Sequence, residues 1–128
     1  MVKVGDTVAL KGFSWPLWVM QVSGENCELW GLSKDEDFKH FEVKDVNQSC
    51  LDVLDSFESL PDLKSGSFVK IRYYATKHSL VLSGLGSPPG PTYSVRCSYV
   101  DARGVFRTIL VPACALYLAT EDAESLSF

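Results

Sequence analysis

The chain of 128 residues carries 46% hydrophobic and 22% charged side chains, a balance typical of a folded globular protein and too rich in core formers for a disordered one. No run approaches the ~18–20 apolar residues of a membrane span, and Met1, Val2, Lys3, Gly5 and Asp6 lack the basic-then-apolar build of a secretory signal. The net charge of −4 hides an asymmetry: residues 1–63 hold five Lys/Arg against twelve Asp/Glu, a net of −7, residues 64–119 hold seven Lys/Arg against Asp101 alone, a net of +6, and Glu121, Asp122 and Glu124 add −3.

Strand signals dominate from the start. Residues 5–10 alternate, with Val8 and Leu10 on one face and Thr7 and Ala9 on the other. Residues 17–22, 27–30 and 38–43 are further apolar runs, separated by the polar turns Ser23-Gly24-Glu25-Asn26 and Ser33-Lys34-Asp35-Glu36-Asp37. Over residues 46–60, Val46, Cys50, Val53, Leu54, Phe57 and Leu60 fall at helical spacing, with Ser49 and Asp52 as a cap and Pro61 as a stop. A final strand at about Leu51 to Leu54 followed by a linker is the favoured reading, and a linking helix is the alternative.

The same order then recurs. Residues 66–72 echo residues 5–11, residues 80–82 echo 18–20, residues 96–100 echo 26–30, residues 106–111 echo 38–43, and residues 115–118 echo 50–53. The main insertion in the second copy is Gly86-Ser87-Pro88-Pro89-Gly90-Pro91, a loop by composition. Matching runs in matching order point to a tandem repeat. Five strands in roughly fifty residues cannot form a two-layer sandwich but can close as a small, strongly bent barrel.

The opening Val4-Gly5-Asp6-x-Val8-x-Leu10-Lys11, followed by Trp18-Val19-Met20 and Cys27-Glu28-Leu29-Trp30, resembles the short bacterial YodC-like proteins and, more loosely, the KOW-type SH3-like barrels of transcription and ribosomal proteins. Val111-Pro112-Ala113-x-Ala115-Leu116 resembles the tight turn before the last strand of those barrels. The first copy departs from them in having Phe13-Ser14-Trp15-Pro16 where a glycine-rich turn is usual. The resemblance implies an all-β chain of two tandem SH3-like five-stranded barrels. The expected organisation is an acidic barrel over 1–54, a linker over 55–65, a basic barrel over 66–119 and an acidic tail over 120–128.

Equivalent positions predict the two cores: Trp18 with Leu80, Met20 with Leu82, Cys27 with Cys97, and Leu29 with Tyr99. Glu28, Trp30, Ser98 and Val100 then face outward. An outward Trp30 covers either the other barrel or a partner. Trp15 and Pro16 lie in a loop of the kind that grips extended chains, or Trp15 folds back on its own core. Trp15, Pro16, Trp30 and Tyr74 are the candidate partner-binding residues. Lys70 and Arg72 share a strand face with Tyr74, and Arg96, Arg103 and Arg107 join them as a candidate polyanion-binding set; the alternative is a solvated face.

Chemistry finds little support. Cys27, Cys50, Cys97 and Cys114 form neither C-x-x-C pairs nor a dense framework, so no metal site or disulfide scaffold is expected. His40 and His78 lie in dissimilar contexts with no nucleophile motif beside them. Asp35-Glu36-Asp37 lacks the ligand register of a calcium loop, and Ser83-Gly84-Leu85-Gly86 has no lysine or helix to hold a phosphate. The expectation is a non-enzymatic, cytoplasmic adaptor without cofactor, membrane or small-molecule substrate, binding a protein partner in the manner of an accessory regulator or a phage-type inhibitor. Nucleic-acid binding through the basic second barrel is the alternative.

Overall fold

The structure is a computed structural model that describes residues 1–13, 15–33, 39–73, 80–86, 90–101 and 103–119. Tyr74, His78, the Asp35-Glu36-Asp37 tip, Pro88-Pro89 and the acidic tail over 120–128 lie outside the described residues. The chain is all-β apart from two three-residue 3-10 turns among the described residues. It divides into two compact units, Met1–Ser59 and Leu60–Phe128.

The first unit is one antiparallel sheet of β1 (Thr7–Leu10), β2 (Leu17–Ser23), β3 (Asn26–Leu32), β4 (His40–Asn47) and β5 (Leu51–Asp55), in the order β4-β3-β2-β1-β5. One face carries Val8, Leu17, Val19, Cys27, Leu29 and Leu51, which form a core with Val2. Leu10, Val22, Phe41, Val43 and Val46 pack against its margin. Removing each such aliphatic side chain from water contributes roughly 1.5–3 kcal/mol. A 3-10 turn, Gln48–Cys50, leads from β4 straight into β5; Asn47 opens it, its side-chain oxygen accepting from the Ser49 N–H at 2.9 Å. Over 46–60 the chain therefore runs through the end of β4, this turn, β5 and a stretch without regular structure from residue 56, as the strand-then-linker reading has it, and not through a linking helix. Apolar side chains at helical spacing lose to the sheet edge that β1 offers β5.

The second unit repeats this connectivity with β6 (Phe68–Ile71), β7 (Leu80–Leu85), β8 (Ser94–Val100), β9 (Phe106–Pro112) and β10 (Leu116–Leu118), in the order β10-β6-β7-β8-β9. A second 3-10 turn, Ala113–Ala115, again precedes the last strand. The fastening hydrogen bonds recur as well. Lys11 N–H donates to the Cys50 carbonyl at 2.8 Å and Arg72 N–H to the Ala115 carbonyl at 2.8 Å. Gly5 N–H donates to Val19 and Gly66 N–H to Leu82, both at 2.8 Å. Asp6 N–H donates to Lys3 and Ser67 N–H to Lys64, both at 3.1 Å. Val69, Ile71, Leu80, Leu82, Val95, Cys97, Val111 and Leu116 are fully buried along the sheet.

Three expectations need correction. The sheets are open rather than closed barrels: β4 and β5 end one ladder, β9 and β10 the other. A 3-10 turn of three residues carries β4 into β5 without a hairpin, so β5 pairs with β1 instead of β4. Trp18 is buried, but not with Cys27 and Leu29; it stands opposite Trp30 across β2 and β3, while Val19 stands opposite Leu29. Met20 is only half-buried, next to a register shift between Val19 and Gln21. An uninterrupted apolar run offers both faces equally, and a one-residue slip exchanges them. Finally, Trp30 and Ser98 are buried rather than exposed.

Candidate functional site

The three tryptophans of the first unit each pack against another ring. Pro16 is buried where the chain enters β2. Trp15 is half-buried; its Nε1–H donates to the Leu32 carbonyl at 2.9 Å, and its ring meets Phe41 edge-on with centroids 6.0 Å apart. Trp30 is 5% exposed. It lies 5.9 Å from Trp18 and nearly parallel to the exposed His40 ring, at 6.4 Å and 7°. Such tilted and stacked pairs stabilise a fold by ~0.5–1.5 kcal/mol beyond area burial. The structure brings Trp15 and Trp30 to the β3–β4 hairpin, but as packed side chains. Neither ring lies open.

The basic candidates scatter. Lys70 is half-buried on β6, and Arg72 is half-buried in the turn just after that strand. Arg96 is exposed on β8, and Arg103 is exposed at the β8–β9 turn. Arg107 points to the other face of β9, opposite the buried Tyr99. Its Nε–H donates to the Asp101 carboxylate. Asp101 also accepts from the Arg103 and Val105 backbone N–H groups at 2.9 Å each, which builds the hairpin turn around one carboxylate. The Arg107 bond, then those backbone donors, hold the Asp101 carboxyl down at about 2. Arg107 is thus already neutralised, whereas Arg96 and Arg103 carry no side-chain ion pair among the described residues.

Register uncovers a surface that the repeat pattern hid. Arg96 stands opposite Leu110, Ser98 opposite Thr108, and Val100 opposite Phe106, so all six share one face. The pairing of Ser98 with Val81, and of Val81 with Phe68, extends this face to β6. Phe106 is 69% exposed, Val100 and Leu110 56% each, and Phe68 41%. At its centre Ser98 bonds Ser83 at 2.8 Å and Thr108 at 3.4 Å, a hydroxyl ladder over three strands. Single apolar side chains in water are ordinary, but several on one face, set around a hydroxyl centre with an arginine at the rim, mark an interaction surface. Val100 was legible as outward-facing. Phe106 and Leu110 were not singled out, although residues 106–111 are apolar at both parities, the signal of a strand with two apolar faces.

The edge strands reinforce the contrast. β4 exposes Glu42, Lys44 and Asp45, and Lys44 sits 3.6 Å from Glu28. Its ladder with β3 is broken by a bulge beside Asp45, whose φ is 57°. Charges and bulges are what blunt a sheet edge. The corresponding edge β9 runs in unbroken register from Phe106 to Pro112, and Arg107 is its one charged residue.

Among the described residues no group of three or more His, Cys, Asp or Glu side chains is placed to hold a metal. Burial pushes the Cys97 thiol up to about 12 and raises that of Cys27, so both stay protonated and unreactive at neutral pH. No helix among the described residues is long and apolar enough to cross a membrane. Searches of family models, curated proteins and solved structures find no match to the chain.

Proposed function

We propose that the chain is a non-enzymatic binding module that docks a protein partner on the exposed face of its second sheet. The observation that carries this reading is the row of Val100, Phe106 and Leu110, each more than half exposed, with Arg96 at its rim. We propose further that both units are SH3-like and arose by duplication. Supporting this are the shared strand order, the 3-10 turn before each last strand and the recurrent hydrogen bonds. The kinship with YodC-like and KOW-type proteins belongs to the same proposal.

A protein partner is favoured over nucleic acid by the surface itself. Polyanion binding asks for several free cations along a track, whereas Arg107 is tied to Asp101 and the face between Arg96 and Arg103 holds apolar and hydroxyl side chains but, among the described residues, no further cation. The working surface therefore moves from the tryptophans of the first unit to the second sheet. Affinity purification of the intact chain beside a Phe106→Ser/Leu110→Ser variant tests this. A stoichiometric protein recovered by the first and lost with the second supports the reading. Equal recovery by both, or recovery that nuclease abolishes, contradicts it.

A further inference from the structure

We propose that β9 accepts an extended acidic segment of the partner protein as an added strand of the second sheet. The inference rests on the binding surface proposed above and names the form and charge of what occupies it.

Backbone comes first. In an antiparallel ladder each strand turns alternate N–H and C=O groups to either side. β9 has β8 on one side and no strand on the other among the described residues. Its seven residues run without a bulge, about 24 Å of regular edge at ~3.4 Å per residue. Such an edge is a template for an incoming strand unless something blunts it. On β4 the bulge at Asp45 and the exposed charges do so; β9 has no bulge, its one charged side chain, Arg107, is paired with Asp101, and Pro112, which has no N–H, marks the end of the edge.

Side chains then select the occupant. An incoming strand lies ~4.8 Å from β9, so its outward side chains meet Phe106 and Leu110 on either side of Thr108. Apolar residues suit that stretch. Arg103 stands at the turn before Phe106, and Arg96 stands opposite Leu110, so cations flank the apolar stretch at both ends. A segment with acidic residues toward its ends and apolar residues between them is complementary to this layout. A second copy of the chain is a poor fit. Antiparallel pairing of β9 with itself sets the Phe106 end of one copy against the Leu110 end of the other, and so brings Arg103 of one near Arg96 of the other. Like charges there oppose the contact.

The test uses the intact, 15N-labelled chain and capped seven-residue peptides. The probe is Glu-Thr-Val-Thr-Val-Thr-Glu, with both glutamates on the face of the valines; one control replaces both glutamates by lysine, and another is N-methylated at every valine and threonine so that neither edge can pair. The acidic peptide is expected to bind saturably and to slow hydrogen exchange of outward β9 amides over 106–111. The lysine peptide is expected to bind at least about tenfold more weakly, and Arg96→Glu/Arg103→Glu to reverse that order. The methylated peptide is expected not to bind. Absence of saturable binding, binding that leaves the β9 amides unchanged, or equal binding of the lysine peptide overturns the proposal. So does sedimentation of the chain alone as a dimer that Leu110→Glu dissociates. If the peptides fail while capture of a partner still depends on Phe106 and Leu110, strand addition is wrong and the docking surface stands.

Discussion

Two carboxylates show how single residues secure each unit. Asp6 is buried at the start of the first sheet, where desolvation works against its charge. The Lys3 ammonium at 2.8 Å, the Phe57 N–H at 2.8 Å and the Lys3 N–H at 3.0 Å outweigh that and hold its carboxyl below the usual range. Asp6→Ala leaves two backbone donors without their acceptor and is expected to cost about 1–3 kcal/mol, read as a lower urea midpoint. Asp101 is the counterpart in the β8–β9 turn. Its folded pKa of about 2 lies below the ordinary ~3.9. Its contribution is therefore complete above about pH 4 and is lost as pH falls through about 2. Urea midpoints of the wild type and Asp101→Asn are expected to differ at about pH 6 and to converge toward pH 2; a gap that persists unchanged would show that the charge is not what holds the turn.

Among the elements, β4 and β9 occupy the same place in their sheets and expose opposite surfaces. β4 is charged and bulged, and β9 is regular and apolar. Phe106→Ser and Leu110→Ser remove side chains that are mostly in water already, so each is expected to shift the unfolding midpoint by less than about 0.5 kcal/mol while weakening partner binding. A binding assay beside thermal unfolding separates the two effects. Strand positions were readable because polar turns such as Ser23-Gly24-Glu25-Asn26 punctuate the apolar runs. Which face each strand turns inward was not. In Leu17-Trp18-Val19-Met20 every residue is apolar, and the register shift after Val19 is set by pairing with β3, a tertiary event that local pattern does not encode. The burial of Trp30 is hidden from local pattern for the same reason: the first sheet buries side chains on both faces, with Leu29 on one and Trp30 on the other.

At the scale of the whole chain, one plan appears twice with opposite charge. The acidic half carries Asp6 where the basic half carries Ser67, and both halves keep a glycine just before, Gly5 at φ 98° and Gly66 at φ 89°. At Gly66 an added Cβ meets nothing within 4 Å, so Gly66→Ala is charged with the left-handed backbone alone, an expected ~1–2 kcal/mol. A much smaller loss on denaturant titration would mean the turn is not held in that conformation. The repeat was legible in the order of the apolar runs, and the recurring 3-10 turns and hydrogen bonds extend it to the backbone. What a single chain's pattern does not disclose is which copy keeps an open face. The direct measurement is hydrogen exchange of the full chain, free and with its captured protein partner. New protection concentrated over residues 94–112, with none gained over 40–47, is the predicted result; protection gained at Trp15 and the β3–β4 hairpin, with 94–112 unchanged, contradicts it.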